Sequence, residues 1–375
     1  MATKHEVLQD VTFGDAVAEQ EADNLQRYFV STDQWRRVLS GTTDVVYGPK
    51  GSGKSAIYSL LQRQAAEMAQ RNITFITAEN PRGTPAFREL ATDPPATEVE
   101  FVRLWKLYFL SLIGTLLEEP TGNADAAFVV SQLQESGLLQ KTSNLKDRLS
   151  AVWRYVRSFF VWESAEGGLK LDPVSGLPSG ITGKITFGSP QPELSKAGMT
   201  SVDTLLTKAD SALTTLNRKI WIGIDRLDVA FEDNEDLEAN ALRALFRVYR
   251  DFQSYPSIDL LSPALEMTPY SQKPAEKLAV FQMAVAFPTL DSVKVFLRTD
   301  IWNRISETGF REASHITKTL TITWNKDLLL NLVMRRALQS SVLCSFYGIE
   351  PEKILDDLVA QRQLFGRMMP PQAEY

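Results

Sequence analysis

Residues 48–55 read Gly-Pro-Lys-Gly-Ser-Gly-Lys-Ser, which fits the spacing G-x-x-x-x-G-K-[ST]. Glycines accept φ angles that turn successive backbone N–H groups inward, making a nest for an anion. A helix that begins immediately behind them adds the positive end of its dipole. In such a site the ammonium of Lys54 reaches the β- and γ-phosphates of a nucleoside triphosphate, and the hydroxyl of Ser55 is a Mg²⁺ ligand. Lys50 and Ser52 fall at variable positions, where the backbone matters more than the side chain. The expected binding segment is Gly48, Pro49, Lys50, Gly51, Ser52, Gly53, Lys54, Ser55 and Ala56. Its expected ligands are ATP, ahead of GTP, and Mg²⁺. A glycine turn of ordinary structure is the competing explanation. The apolar strand before the turn and the helix after it argue for the phosphate site.

Such a metal also calls for an Asp at the end of a buried apolar strand. Ile220-Trp221-Ile222-Gly223-Ile224-Asp225 has that form, so Asp225 joins Ser55 as the expected metal-holding pair. The next residue is Arg226, where many P-loop hydrolases place a Glu to polarise the attacking water. Asp228, in Ile-Asp-Arg-Leu-Asp, is the first candidate for orienting that water, and Glu79, just past the second strand, is the reserve. Turnover is accordingly expected to be slow or conditional. Arg298 closes the apolar run 293–297 and is a candidate γ-phosphate sensor, because a guanidinium grips phosphate bidentately. It is equally placed to pair with Asp300 as ordinary structure. Arg243, Arg247 and Arg250 recur at helical spacing, which suits either a finger surface at a subunit interface or, more commonly, a solvated face with local ion pairs. Arg335 and Arg336 carry the same two readings.

The elements that must hold these residues can be read from periodicity. A strand at 44–48, a helix over 53–70 and a strand at 73–77 form a βαβ unit, which implies a parallel sheet. Further strands are expected at 219–225 and 293–297. Helices are expected over 13–40, where Thr32 can cap a second short helix holding Trp35, Val38 and Leu39, and over 98–118, 123–162, 201–217, 234–253 and 326–339, with the C-terminal region mostly helical. The segment 164–192 is dense in Gly, Pro and Ser and reads either as an excursion carrying a β-hairpin around Ile181–Phe187 or as a mobile loop. Residues 254–290 hold several prolines and read as a second insertion.

With 44% hydrophobic and 23% charged residues over 375 positions, the composition is that of an ordinary globular protein. A net charge of −6 gives no long-range pull towards nucleic acid, leaving that role to local basic patches. One cysteine, Cys344, and two histidines, His5 and His315, leave little material for disulfides or a structural zinc site, and suit a cytoplasmic location. The N-terminus is polar and acidic, unlike a signal peptide. The greasiest run, 104–117, is too short to span a bilayer and carries Lys106, so a core helix is expected and no membrane partner.

Taken together, DAVAEQEADNLQRYFVSTDQW, VVYGPKGSGKSA, IWIGIDRLD, VFLRTDIWNRI and EASHITKTLTITWNKDLLLNLVMRR resemble a family of bacterial AAA-like P-loop ATPases, close to the STAND and KAP groups and often labelled DNA-repair or phage-defence ATPases. The resemblance runs from about residue 13 to 340, apart from the two insertions. It implies an α/β fold of the additional-strand P-loop type, in which a sensor strand lies between the phosphate strand and the Asp225 strand, with a small helical lid after residue 315. It carries over Lys54, Ser55, Asp225 and Arg298. It implies a nucleotide-dependent switch or assembly ATPase, forming homo-oligomers and acting on an effector protein, in defence against foreign DNA. A DNA-stimulated repair motor and a nucleotide-stabilised scaffold without turnover are the alternatives. The corresponding organisation is an N-terminal helical segment (1–40), an ATPase core (41–312) and a C-terminal helical lid (313–375).

Overall fold

The structure is a computed structural model that describes residues 3–11, 29–79, 96–119, 122–139, 144–164, 183–227, 231, 234–253, 289, 292–307, 310, 313, 315–369. Five strands make the main sheet: β1 (Val45–Gly48), β2 (Ile73–Thr77), β5 (Lys219–Ile224), β6 (Ser292–Arg298) and β7 (Thr319–Thr321), in the order β2-β5-β6-β1-β7. Every neighbouring pair is parallel. Parallel strands need helical crossovers and covered faces, and here both faces are covered.

Alternation along the strands divides the core. Val45 and Tyr47, Ile220, Ile222 and Ile224, and Val293, Val295 and Leu297 face one side. There they meet α5 (Glu98–Leu117), α6 (Ala124–Glu135), α7 (Leu145–Ser164), α9 (Val202–Thr215), α10 (Glu235–Gln253) and α11 (Thr299–Glu307). Val46, Trp221 and Phe296 face the other side, under α2 (Asp33–Leu39), α3 (Lys54–Arg63) and α4 (Ala65–Gln70). The greasy run at 104–117 is the buried heart of α5, opened by a Thr97–Glu100 capping box and tied by the Trp105 indole to the Ala241 carbonyl at 2.9 Å. Among the described residues no helix is long and apolar enough to cross a membrane.

At the end of β1 away from Gly48, Asp44 and Lys294 form a fully buried ion pair at 2.8 Å. Tyr249 and Gln253 of α10 donate to the second Asp44 oxygen at 2.9 and 2.6 Å, and the Lys294 ammonium lies 4.2 Å from the centre of the Trp221 ring. Burial, then the Asp44 charge, pushes the Tyr249 phenol well above its ordinary pKa.

A third cluster joins α1 (Lys4–Gln9) to α12 (Lys326–Ala337), α13 (Ser341–Tyr347), α14 (Pro351–Leu355) and α15 (Leu358–Met368). Val7 and Val11 are buried with Met334, Leu338, Leu343, Leu364 and Met368.

Several elements differ from the sequence reading. The helix expected over 53–70 breaks at Gln64, and 123–162 divides into α6 and α7. The expected hairpin is instead a two-residue strand, β3 (Ile185–Thr186), paired in parallel with β4 (Thr200–Ser201) across the short helix α8 (Pro192–Lys196). Parallel pairing requires such a crossover, whereas a hairpin would have needed a tight turn. The region after 313, read as mostly helical, contains β7, which completes the sheet beside β1. Much of the expected helix 13–40 and of both insertions lies outside the described residues.

Candidate functional site

β1 ends at Gly48, in register with Arg298 of β6. Beyond it, Gly51 (φ 80°) and Gly53 (φ 98°) both adopt the left-handed region that glycine alone enters without cost. Gly53 is the N-cap of α3 and supplies no side-chain acceptor, so among the described residues the helix has no side-chain cap. The first turn holds no carboxylate and begins with Lys54. A cation and an uncapped start are both unfavourable at the positive end of a helix, and an anion would relieve both. The Lys54 ammonium folds back over the loop and donates to the carbonyls of Gly48 and Pro49, each at 2.9 Å.

Ser52, where the backbone is expected to matter more than the side chain, also has a placed side chain. It is buried, its Oγ has no hydrogen-bond partner among the described residues, and it lies 2.2 Å from where a Cβ on Gly48 would stand. The loop therefore closes over the bare α-carbon of Gly48. Trp324, which sequence reasoning missed, donates its indole N–H to the Ser52 carbonyl at 2.9 Å. Nothing in the spacing of the motif points to a residue so far along the chain.

Asp225 follows β5 and is buried. The β2–β5 ladder continues through the bond from the Ala78 amide to the Gly223 carbonyl, which makes Glu79 and Asp225 lateral neighbours just past the strand ends. Glu79 is only 1% exposed. Tyr58 of α3 links the two: its hydroxyl reaches the Glu79 and Gly223 carbonyls at 3.3 and 3.4 Å. Burial first, then the charges of Asp225 and Glu79, holds the Tyr58 phenol well above its ordinary pKa. Tyr108 donates to the Ala78 carbonyl at 2.7 Å and is likewise pushed up by burial and Glu79. Ser55 precedes Tyr58 by one turn, so it lies on the face of α3 turned towards β5. Arg226, directly after Asp225, sits at φ 64°, a strained conformation for a residue with a side chain.

The structure thus brings together the glycine loop, Lys54, Ser55, Asp225 and Glu79 at the C-terminal edge of the sheet. Asp228 lies outside the described residues. Arg298 reaches the same edge, with its guanidinium engaged by Asp300 in a two-pronged pair at 3.1 and 2.5 Å. That contact holds the Asp300 carboxyl below the usual carboxylate range. In the arginine stripe, Arg247 pairs with Glu98 of α5 at 2.6 Å, an ion pair within the chain. Arg335 bonds Asn331 and Asp356.

The donor set fits one metal better than others. No group of three or more His, Cys, Asp or Glu converges among the described residues, so nothing there makes an all-protein cage. One carboxylate and one hydroxyl beside an anion nest match Mg²⁺, which is held through one or two carboxylates together with phosphate and water. Comparison of the chain with protein-family models, with curated proteins and with solved structures gave no significant match.

Proposed function

We propose that this chain is a P-loop ATPase of the additional-strand type, binding Mg-ATP and acting as a nucleotide-dependent switch or assembly platform. The observation that carries the reading is the uncapped start of α3 behind two left-handed glycines, with a buried Asp225 one strand beyond the neighbour of β1. The placement of β6 between β1 and β5 supports it too, since the family resemblance implies a sensor strand there. That same resemblance extends the proposal to homo-oligomers and an effector protein in bacterial defence against foreign DNA.

In this reading the inward amides of the loop and of the first turn of α3 bind the phosphates. Lys54 exchanges its two carbonyl partners for phosphate oxygens. Ser55 and Asp225 would hold Mg²⁺, which would supply charge neutralisation to the phosphates. Glu79 or Asp228 orients the attacking water. Glu79 is 1% exposed, which accords with slow or conditional turnover. The Arg298–Asp300 pair favours a second reading, a nucleotide-stabilised scaffold without turnover, in which the guanidinium never leaves its carboxylate.

Calorimetric titration with Mg-ATP tests the site. Wild type should bind, and Lys54→Ala should weaken binding by roughly 30- to 1000-fold, the usual consequence of truncating a charged hydrogen-bonding partner. Hydrolysis measured for wild type, Glu79→Gln and Asp228→Ala, with and without DNA, separates the readings. Turnover lost in either carboxylate variant supports the ATPase, and many-fold stimulation by DNA would favour a motor. Absence of binding by folded wild-type protein would defeat the proposal.

A further inference from the structure

We propose that Trp324 is a positioning residue that aims the phosphate loop and couples its occupancy to the C-terminal helices; this rests on the triphosphate reading above. The chain leaving β7 runs beside the loop, with the Ile322 amide bonded to the Tyr47 carbonyl at 2.7 Å. The next three residues are each tied to a different element. Thr323 accepts from the Gln34 side chain of α2 through its carbonyl at 3.2 Å and its hydroxyl at 3.0 Å. Trp324 donates to the Ser52 carbonyl at 2.9 Å, and its ring is the nearest group to a Cβ built on Gly53, at 3.9 Å. Asn325 caps α12 by accepting from the Leu328 amide at 2.8 Å.

The Ser52 carbonyl and the Gly53 amide belong to one trans peptide, so they point in opposite directions. Glycine at 53 has no Cβ to bar the orientation of that peptide, and its φ of 98° lies in the left-handed region. Holding the carbonyl outward on Trp324 therefore turns the Gly53 N–H towards the inside of the loop, where the nest forms. An anion on that N–H polarises the same peptide and strengthens the indole bond on its far side. Because coupling is reciprocal, a tighter indole bond also strengthens anion binding. The residue that feels this is one position before the cap of α12, so the state of the loop is relayed to the helical unit.

Trp324→Phe keeps an aromatic ring and deletes the N–H. Three quantities decide the matter: Mg-ATP affinity by calorimetry, the unfolding temperature without nucleotide, and amide exchange over 323–330 with and without Mg-ATP. Wild type should show nucleotide-dependent protection of 323–330. Trp324→Phe should bind about five- to tenfold more weakly, the worth of one neutral hydrogen bond, and lose that protection. Its nucleotide-free unfolding temperature should stay within about 2 °C of wild type. Gln34→Ala, which cuts only the Thr323 tie, should keep wild-type affinity. A lowered unfolding temperature with unchanged affinity and unchanged nucleotide-dependent exchange would make Trp324 merely structural and overturn the proposal. Should Trp324→Phe fail to fold, wild type alone decides: no protection of 323–330 on Mg-ATP overturns it. Wild type that binds no Mg-ATP removes the triphosphate reading itself, an outcome separate from normal binding by Trp324→Phe, which removes only this inference.

Discussion

Gly48 and Gly223 are places where a methyl group has nowhere to go. At Gly48 it would meet the Ser52 hydroxyl, and at Gly223 it would lie 2.3 Å from Phe75 and 2.9 Å from Tyr58. The motif spacing marks Gly48. No spacing marks Gly223, because its neighbour Tyr58 leans on it from another element, and such a contact exists only after folding. Gly223→Ala should push Tyr58 off the strand ends that carry Glu79 and Asp225. Urea unfolding should show a loss of about 1–3 kcal/mol, the usual cost of overpacking, and Mg-ATP affinity should fall with it. Arg298 had two readings from sequence, phosphate sensor or partner of Asp300, and the folded chain makes the second contact. Asp300→Asn should loosen that grip and raise affinity for ATP relative to ADP severalfold, measurable by calorimetry. The pair also has a pH signature. The folded Asp300 pKa is depressed, so its contribution is complete above the unfolded value of about 3.9 and disappears as pH falls through the lower folded value. The pair is largely solvent-exposed, so the contribution is small.

The strands at 45–48, 73–77, 219–224 and 292–298 were legible in the sequence because parallel strands covered on both faces are nearly continuous apolar runs. Thr319–Thr321 escaped because three residues with one buried side chain have no pattern to read. The break between α6 and α7 follows a local stop at Gly137, φ 69°, while the β3–β4 pairing was hidden because two-residue strands joined across a short helix leave no periodic pattern. The buried Asp44–Lys294 pair joins the starts of two strands, and no sequence rule pairs a lysine inside an apolar run with an aspartate so far upstream. Lys294→Met should cost about 3–5 kcal/mol, because it removes the ammonium 2.8 Å from a fully buried Asp44, while Tyr249, Gln253 and a Lys318 ammonium 3.6 Å away stay in place. Replacing Asp44 by Leu in the same chain should return part of that loss in denaturant unfolding, since removing both charges removes the stranded one.

On the scale of the whole molecule, the glycine loop was legible in the motif, while the Trp324 bond to it and the packing of α1 on the C-terminal helices were not, since both join distant parts of the chain. Val7 of α1 is 1% exposed, packed with α12, α13 and α15. Val7→Asp should therefore raise amide exchange across 334–368 while leaving β1, β5 and β6 protected. The sheet order has a consequence for how the chain is made. Both strands that flank β1 lie beyond residue 290, and Asp44 waits for a partner 250 residues later. At roughly 5–20 residues per second, a ribosome needs on the order of 10–50 s to deliver them. Throughout that interval Val45–Gly48 offers two bare strand edges to any sticky neighbour, so the nascent protein should depend on chaperone shelter until β6 emerges.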